Sequence, residues 1–419
     1  LIEVKSNQIK SGEVSVPGSK SYTHRILIAA ALSDGECTIA NALKSEDTLL
    51  TLNALKQMGV SIEVQPGKIL VQGTKGVLGA CSEPVFLGNS GTSVRLLTAV
   101  ASLGKAVYIL TGTERMKERP IQDLLDGLAQ IGVNARSLNG DGCPPVEIRG
   151  GGVRGGSVTL DCAVSSQFLS ALLLIAPYTS EGLEIIVSRG PVSRPYVDIT
   201  VAVMDRFGVE VAREGYAHFG VKPGRIYRGG DYTVEPDCSQ AGYFWAAAAV
   251  TGAAVKVRGI SRDSLQGDLR FTDCLEAMGC RIIDDADGIE VIGAPLKAID
   301  VDMGDMPDMV PTLAVVAAFA SGVTVIKNVA HLKAKESDRL AAVCQELSRM
   351  GIETKEIASG LVIKGGLPRG AEIETYGDHR IAMSFAVAGL KTPGVSIRDE
   401  TCVDKSFPDF WRVLEGLYR

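Results

Sequence analysis

Six short segments of this 419-residue chain concentrate side chains that handle anions and protons. They read GSKSYTHR (18–25), GNSGTSVR (88–95), AVSSQF (163–168), PDCSQAG (236–242), GDMPDMVPT (304–312) and YGDHR (376–380). Each is rich in Ser, Thr, Asp, Asn or Gly and leads into an apolar, Ala-rich stretch, the pattern of a helix entered through its N-cap. Capping alone accounts for Ser165, Asp237 or Asp378 taken singly. It does not account for the cations. Lys20, Arg25, Arg95, His379 and Arg380 lie in these segments, Arg119 in RMKERP, Lys335 and Arg339 in KAKESDR, and Lys405 in VDKSFPDF. Helix N-termini present unpaired N–H groups and a positive dipole end, and guanidinium forks match carboxylate and phosphate. The chemistry this implies is capture of a multiply anionic substrate. Arg119 directly precedes Pro120, which suits the first position of a helix. KAKESDRLAAV reads as helical throughout, placing Lys335 and Arg339 one turn apart on one face with Glu336 between them in sequence.

The elements that position these residues form a repeat. An Ala-rich helix, a Gly-containing turn and a β-branched strand recur six times: ILIAAALSDGECTIA from Ile26, LLTAVASLGKAVYIL from Leu96, LSALLLIAPYTSEGLEIIV from Leu169, YFWAAAAVTGAAVKV from Tyr243, LAVVAAFASGVTVI from Leu313 and IAMSFAVAGLKTPGVSI from Ile381. The period is about 70 residues, longer than ordinary solenoid repeats. Five copies are followed by an amphipathic helix ending in Gly59, Gly132, Gly208, Gly279 or Gly351, then a hairpin. Six mixed units predict two α/β domains of three units each, with a crossover near Gly229 and Gly230. The Ala-rich helices belong inside, because small side chains let several helices approach closely.

Composition narrows the class. The net charge is −6, with 46% hydrophobic and 22% charged residues, so the chain can build large cores and lacks the basic balance of a nucleic-acid binder. Its 9 cysteines include no C-x-x-C pair, the closest being Cys274 and Cys280, as expected of reduced thiols in the cytoplasm. His24, His218, His331 and His379 lack metal-ligand spacing. The longest apolar stretches, 310–326 and 241–257, are broken by Gly, Ser or Thr and read as buried helices running into strands, so no membrane partner is expected. GSKS resembles the end of a P-loop, but Glu13 and Ser19 stand where that motif needs Gly and Lys. Gly150, Gly152 and Gly155 satisfy G-x-G-x-x-G, yet strand-like SVTL follows where a dinucleotide fold needs a helix.

Taken together, PGSKSxTxR, GNSGTSVR, RMKERP, SSQFLSALL, SRPYVDIT, KESDR, GDHRIAM and KSFPDF resemble the 5-enolpyruvylshikimate-3-phosphate synthase family of enolpyruvyl transferases, in that family's order and along nearly the whole chain. The resemblance implies two inside-out α/β domains, each of three βαβαββ repeats, with the active site in the interdomain cleft. It implies a discontinuous domain, 1–18 plus 234–419, and a second one, 19–233, with crossovers near 18–20 and 229–235. It implies transfer of the enolpyruvyl group of phosphoenolpyruvate to the 5-hydroxyl of shikimate 3-phosphate, by a monomer without metal or organic cofactor. For shikimate 3-phosphate the matching residues are Lys20, Ser21, Arg25, Ser165, Ser166, Gln167, Ser193, Tyr196, Asp308 and Lys335; for phosphoenolpyruvate, Lys20, Gly91, Arg119, Gln167, Arg339, Arg380 and Lys405. Lys20, Asp308 and Glu336 are the implied proton-transfer groups. It also implies glyphosate as an inhibitor competing with phosphoenolpyruvate, with room for it at Gly91.

Some positions depart from familiar members: Ser90 and Ser93 where Ala is common, Leu96 where Pro is common, and His331 where Asn is frequent. These bear on inhibitor sensitivity rather than reaction type. Two other readings compete. An enolpyruvyl transferase acting on UDP-N-acetylglucosamine usually carries a reactive cysteine in a mobile loop, which TERMKERPIQ lacks. A catalytically dead anion-binding relative predicts losses among Lys20, Asp308, Glu336 and Arg380, and all four are present.

Overall fold

The computed structural model describes residues 1–6, 9 and 11–418. The chain divides into two compact units, Gly18–Val234 and a discontinuous one made of Leu1–Pro17 with Glu235–Arg419. Among the described residues the strands form six sheets, three in each unit.

Five sheets share one plan. A strand pairs in parallel with the strand that follows the buried helix, and a hairpin adds two antiparallel strands. In the third repeat, Gly156–Asp161 lies parallel to Leu183–Arg189, which pairs with His218–Val221 and, through it, with Ala212–Glu214. The first and fourth repeats borrow their parallel strand from distant sequence. Gly230–Thr233 pairs with Glu36–Ala40, and Ser11–Val14 pairs with Ala254–Arg258. The sixth repeat has the parallel pair Glu372–Ile373 and Ser396–Ile397, and Ile2–Glu3 adds to it in place of the hairpin. The N-terminal segment therefore completes two sheets of the unit that otherwise starts at Glu235.

The Ala-rich helices are buried because, beyond the polar residues of their first turns, they are predominantly apolar on all sides. Helix Cys238–Thr251 is buried from Cys238 to Val250, and helix His379–Gly389 along its whole length. In one unit helices Lys20–Leu32, Gly91–Ala101 and Gln167–Ile175 pack together; in the other, Cys238–Thr251, Val310–Ala317 and His379–Gly389 do so. Close approach needs small residues: a Cβ on Gly242 would lie 2.1 Å from the terminal methyl of Met309. The sheets cover these helices with alternate residues. Cys37, Ile39, Ile69 and Val71 are buried, while their strand neighbours are not. The five helix-ending glycines all have positive φ, from 78° at Gly351 to 112° at Gly279, as the left-handed cap requires. No helix of the described residues is long and apolar enough to cross a membrane.

Candidate active site

In the unit Gly18–Val234, Lys20 opens its helix behind Ser19, and its ammonium donates to Asp47 Oδ2 at 3.1 Å. Asp47 lies in the first turn of helix Glu46–Gln57, fixed by a capping box between Ser45 and Thr48. Ser21 and Arg25 follow one turn apart. The Arg25 guanidinium is 1% exposed and donates to Thr200 Oγ1 at 2.7 Å, the Ser21 carbonyl at 2.9 Å, the Tyr196 carbonyl at 3.2 Å and Ser170 Oγ at 3.3 Å. Those oxygens are all neutral, and burial lowers the Arg25 pKa to about 10 despite nearby Tyr196 and Tyr22. A buried cation that meets only neutral oxygens among the described residues is primed for an anionic partner.

Ser165 and Ser166 precede helix Gln167–Ile175, and Ser165 Oγ accepts the Gln167 N–H at 3.2 Å, so capping is part of its role. The Gln167 amide is oriented at both ends: its Oε1 accepts from Arg95 at 2.9 Å, and its Nε2 donates to Thr92 Oγ1 at 2.9 Å. Arg95 also donates to the Pro120 carbonyl at 2.9 Å, one residue beyond Arg119. Arg119 ends the short turn Met116–Glu118 and donates to the Asn89 carbonyl at 2.8 Å and Asn89 Oδ1 at 3.2 Å. Its guanidinium lies against Gly91, where a Cβ would stand 2.3 Å from Nη2. Pro120 does not open a helix: the next helix is Gln122–Gln130, with Ile121 as N-cap. The Arg95 bond to the Pro120 carbonyl anchors this link between the turn and the helix. Ser193 is buried with φ of 55° in the turn before helix Pro195–Arg206, which carries Tyr196.

The departures Ser90 and Ser93 are explained here. Ser90 caps helix Gly91–Ala101, its Oγ accepting the Ser93 N–H, and the two hydroxyls meet at 2.7 Å. Ser93 continues to Thr51 at 2.7 Å and Thr51 to His24 Nδ1 at 2.8 Å. Alanine at these positions would break this chain.

The other unit holds a denser ionic cluster. Asp308 occupies the turn Pro307–Met309 and accepts from Arg339 through Oδ1 at 2.9 Å and from Arg380 through Oδ2 at 2.7 Å. Arg339 also donates to Glu336 Oε2 at 2.8 Å and to Asp378 Oδ2 at 2.8 Å, where Ser337 Oγ joins at 3.0 Å. Asp378 caps helix His379–Gly389 through the Arg380 N–H, so it is both cap and ion-pair partner. Arg380 reaches Tyr243 OH at 3.3 Å. Burial works against ionisation of Asp308, but Arg380, Arg339 and Lys335 outweigh it and hold the carboxyl well below its usual range. Asp378 is likewise lowered, chiefly by Arg339 acting against burial.

The helix expected through KAKESDRLAAV begins only at Arg339, with Asp338 as its cap accepting the Ala341 N–H at 3.1 Å. Lys335 follows the turn Ala330–Ala334 in an extended conformation, and Glu336 precedes the helix. The Glu336–Arg339 pair is therefore a buried loop-to-helix contact rather than a pair on a helix surface; its side chains are 9% and 1% exposed. The local cap on Asp338 overrides the helical propensity of its neighbours. Lys405 ends the turn Glu400–Lys405 and is buried. His331 is driven down to about 4 by burial and by Lys335. Sequence reading missed Asp47, Ser170, Thr200 and Tyr243 as partners and Asp268 beside Ser239, which nothing in their local spacing marks, and it gave Asn89 no role although that residue lies in the segment 88–95.

These features define a protein of buried helix starts and anion-ready guanidiniums on a twofold-repeated α/β fold. Residues 4–414 match the family EPSP synthase (3-phosphoshikimate 1-carboxyvinyltransferase), and the chain belongs to that family. It is 45% identical over 408 residues to the 3-phosphoshikimate 1-carboxyvinyltransferase of Syntrophobacter fumaroxidans, covering 97% of this chain and 96% of that one. The enzyme of the same name from Methanosphaerula palustris is 48% identical over 405 residues, covering 96% and 95%. The structure of EPSP synthase from Acinetobacter baumannii superposes with a TM-score of 0.83 at 31% identity, covering 99% of this chain and 97% of that one. The fold also matches the enolpyruvyl transferase NikO from Streptomyces tendae, with a TM-score of 0.79 at 21% identity and coverage of 99% and 96%.

Proposed function

We propose that this protein transfers the enolpyruvyl group of phosphoenolpyruvate to the 5-hydroxyl of shikimate 3-phosphate, releasing inorganic phosphate. The observation that carries the reading is Asp308, whose two oxygens each hold a different buried guanidinium, Arg339 and Arg380. Such a cluster keeps Asp308 ionised and gathers Arg339, Arg380 and Lys335 around it, a concentration of cations suited to an anionic substrate. Arg339, Arg380 and Lys405, with Lys20, Gly91, Arg119 and Gln167, are assigned to phosphoenolpyruvate. Arg25, Ser21, Ser165, Ser166, Gln167, Ser193 and Tyr196, with Lys20, Asp308 and Lys335, are assigned to shikimate 3-phosphate.

In the addition step a proton joins the methylene carbon of phosphoenolpyruvate as the 5-hydroxyl oxygen bonds to the neighbouring carbon and loses its own proton. In the elimination step a methyl proton leaves and the C–O bond to phosphate breaks, regenerating the double bond as an enol ether. The sequence is redox-neutral. Asp308, Glu336 and Lys20 are the candidates for the proton transfers at the hydroxyl and at the methylene. The guanidiniums offset repulsion between two anions and hold them in reacting geometry. A monomer is the proposed form, and a reducing compartment such as the cytoplasm suits the nine cysteines that are free thiols among the described residues. Phosphate release from purified protein, measured with phosphoenolpyruvate plus either shikimate 3-phosphate or UDP-N-acetylglucosamine, tests the assignment. Turnover only with the nucleotide sugar, or with neither acceptor, overturns it.

A further inference from the structure

Glu346 is a fully buried carboxylate outside the cluster just described. It lies on helix Arg339–Arg349, about two turns beyond Arg339. Its Oε1 accepts from Tyr376 OH at 2.6 Å, a hydroxyl that also meets Gln345 Oε1 at 2.6 Å. Its Oε2 accepts the Glu374 N–H at 3.1 Å and Arg349 at 3.3 Å. Burial and the bond to Glu346 both raise the Tyr376 pKa, so the phenol remains a donor. Tyr376 has φ of 56°, a left-handed conformation that bulky side chains rarely adopt, and Gly377 follows at 63°. The next residues are Asp378 and Arg380.

One helix thus grips one turn at two points. Its first residue, Arg339, holds Asp378, and its Glu346 holds the strained Tyr376 and the Glu374 backbone. Packing alone does not call for a buried carboxylate here, since an apolar side chain of similar size avoids the desolvation penalty. What the carboxylate adds is direction: two oxygens that fix a hydroxyl and an N–H on the same turn. We propose that Glu346 is a positioning residue for phosphoenolpyruvate binding, acting through Tyr376 to set the turn that places Asp378 and Arg380. The proposal rests on the assignment of Arg339 and Arg380 to phosphoenolpyruvate.

The test compares Glu346→Gln, Glu346→Leu and Tyr376→Phe with wild type by steady-state kinetics. The rise in Tm induced by phosphoenolpyruvate is read on the same proteins. Tyr376→Phe and Glu346→Leu are expected to raise KM for phosphoenolpyruvate at least about tenfold, with KM for shikimate 3-phosphate within about twofold. Glu346→Gln keeps an acceptor for Tyr376 and is expected to recover most of the loss. If Glu346→Leu fails to fold, Tyr376→Phe, which deletes a single hydroxyl, decides. Folded variants with unchanged phosphoenolpyruvate KM and unchanged ligand-induced Tm rise overturn the inference, as does an equal change in both KM values. A wild type that turns over no shikimate 3-phosphate overturns the proposed reaction instead. In that case the phosphoenolpyruvate-induced Tm rise, lost in Tyr376→Phe or retained, still decides the role of Glu346.

Discussion

Asp308 and Arg339 meet at 2.9 Å although 31 residues separate them in sequence, and the second oxygen of the same carboxylate is given to Arg380. Asp308 is therefore the shared counter-ion of two guanidiniums. Replacing it with Asn keeps one acceptor but removes the charge. Asp308→Asn is expected to lower kcat by about 100- to 10,000-fold, the range for loss of a proton-transfer group. Asp308→Ala should in addition lose on the order of 3–5 kcal/mol of stability, because its buried ion pair with Arg380 is broken, while Arg339 keeps Glu336 and Asp378. Steady-state kinetics and denaturant unfolding separate the effects; wild-type kcat in Asp308→Asn removes Asp308 from the chemistry.

Glu336 both pairs with Arg339 and is a candidate for proton transfer. Glu336→Gln preserves an acceptor for Arg339 but exchanges no proton. It should lower kcat by at least about 100-fold while phosphoenolpyruvate affinity in the ternary complex changes little. Isotope exchange into the methylene protons should fall in parallel. Near-normal kcat with a raised KM would show that Glu336 only orients Arg339.

Gly91 has no room for a side chain beside the Arg119 guanidinium. Gly91→Ala should displace Arg119 from Asn89 and raise KM for phosphoenolpyruvate by about tenfold, leaving shikimate 3-phosphate unaffected. Inhibition by glyphosate should weaken in the same variant. An inhibition series on both proteins checks this, and identical curves would disprove it.

Arg25 is held buried by neutral oxygens, a costly arrangement for the isolated protein. Arg25→Met should keep or raise Tm while lowering shikimate 3-phosphate affinity at least about 100-fold, since the charge serves the ligand rather than the fold. Calorimetric titration with a matched melting curve tests it; a variant that loses Tm and keeps affinity would reverse the reading.

Asp268 is buried, accepts from Ser239, and is pushed up to about 7 by burial and by Asp308, with Asp237 adding and Arg380 opposing. Between its ordinary value of 3.8 and about 7 the folded protein binds the extra proton, so stability from this group falls as pH rises through that window. His331 acts oppositely: lowered from 6.5 to about 4, it stays neutral when folded, and stability falls as pH drops through that range. Asp268→Asn removes only the first effect. Its Tm should be close to wild type at pH ~4 and higher at pH ~8, by the equivalent of a few kcal/mol. A Tm difference that does not change with pH would refute the assignment.

Most of the repeat was legible in local sequence. Helix entry by capping residues, exit by Gly59 or Gly351, and the alternation of Ile69 and Val71 depend on near neighbours, so they can be read without the fold. Where two local rules competed, the reading failed. Asp338 caps and delays the helix expected from Lys335, and Pro120 lies before Ile121 rather than inside the helix. The sequence by itself determined the six helix starts, the cations they carry and the family to which they belong. The tertiary structure decided their partners: Asp47 for Lys20, Asn89 for Arg119, and Asp308 for both Arg339 and Arg380. It also decided that Ser11–Val14 pairs with Ala254–Arg258. Such pairings join residues from 27 to more than 200 positions apart, and only burial, which excludes water and forces each polar group to find a partner, selects among the many groups that could have met.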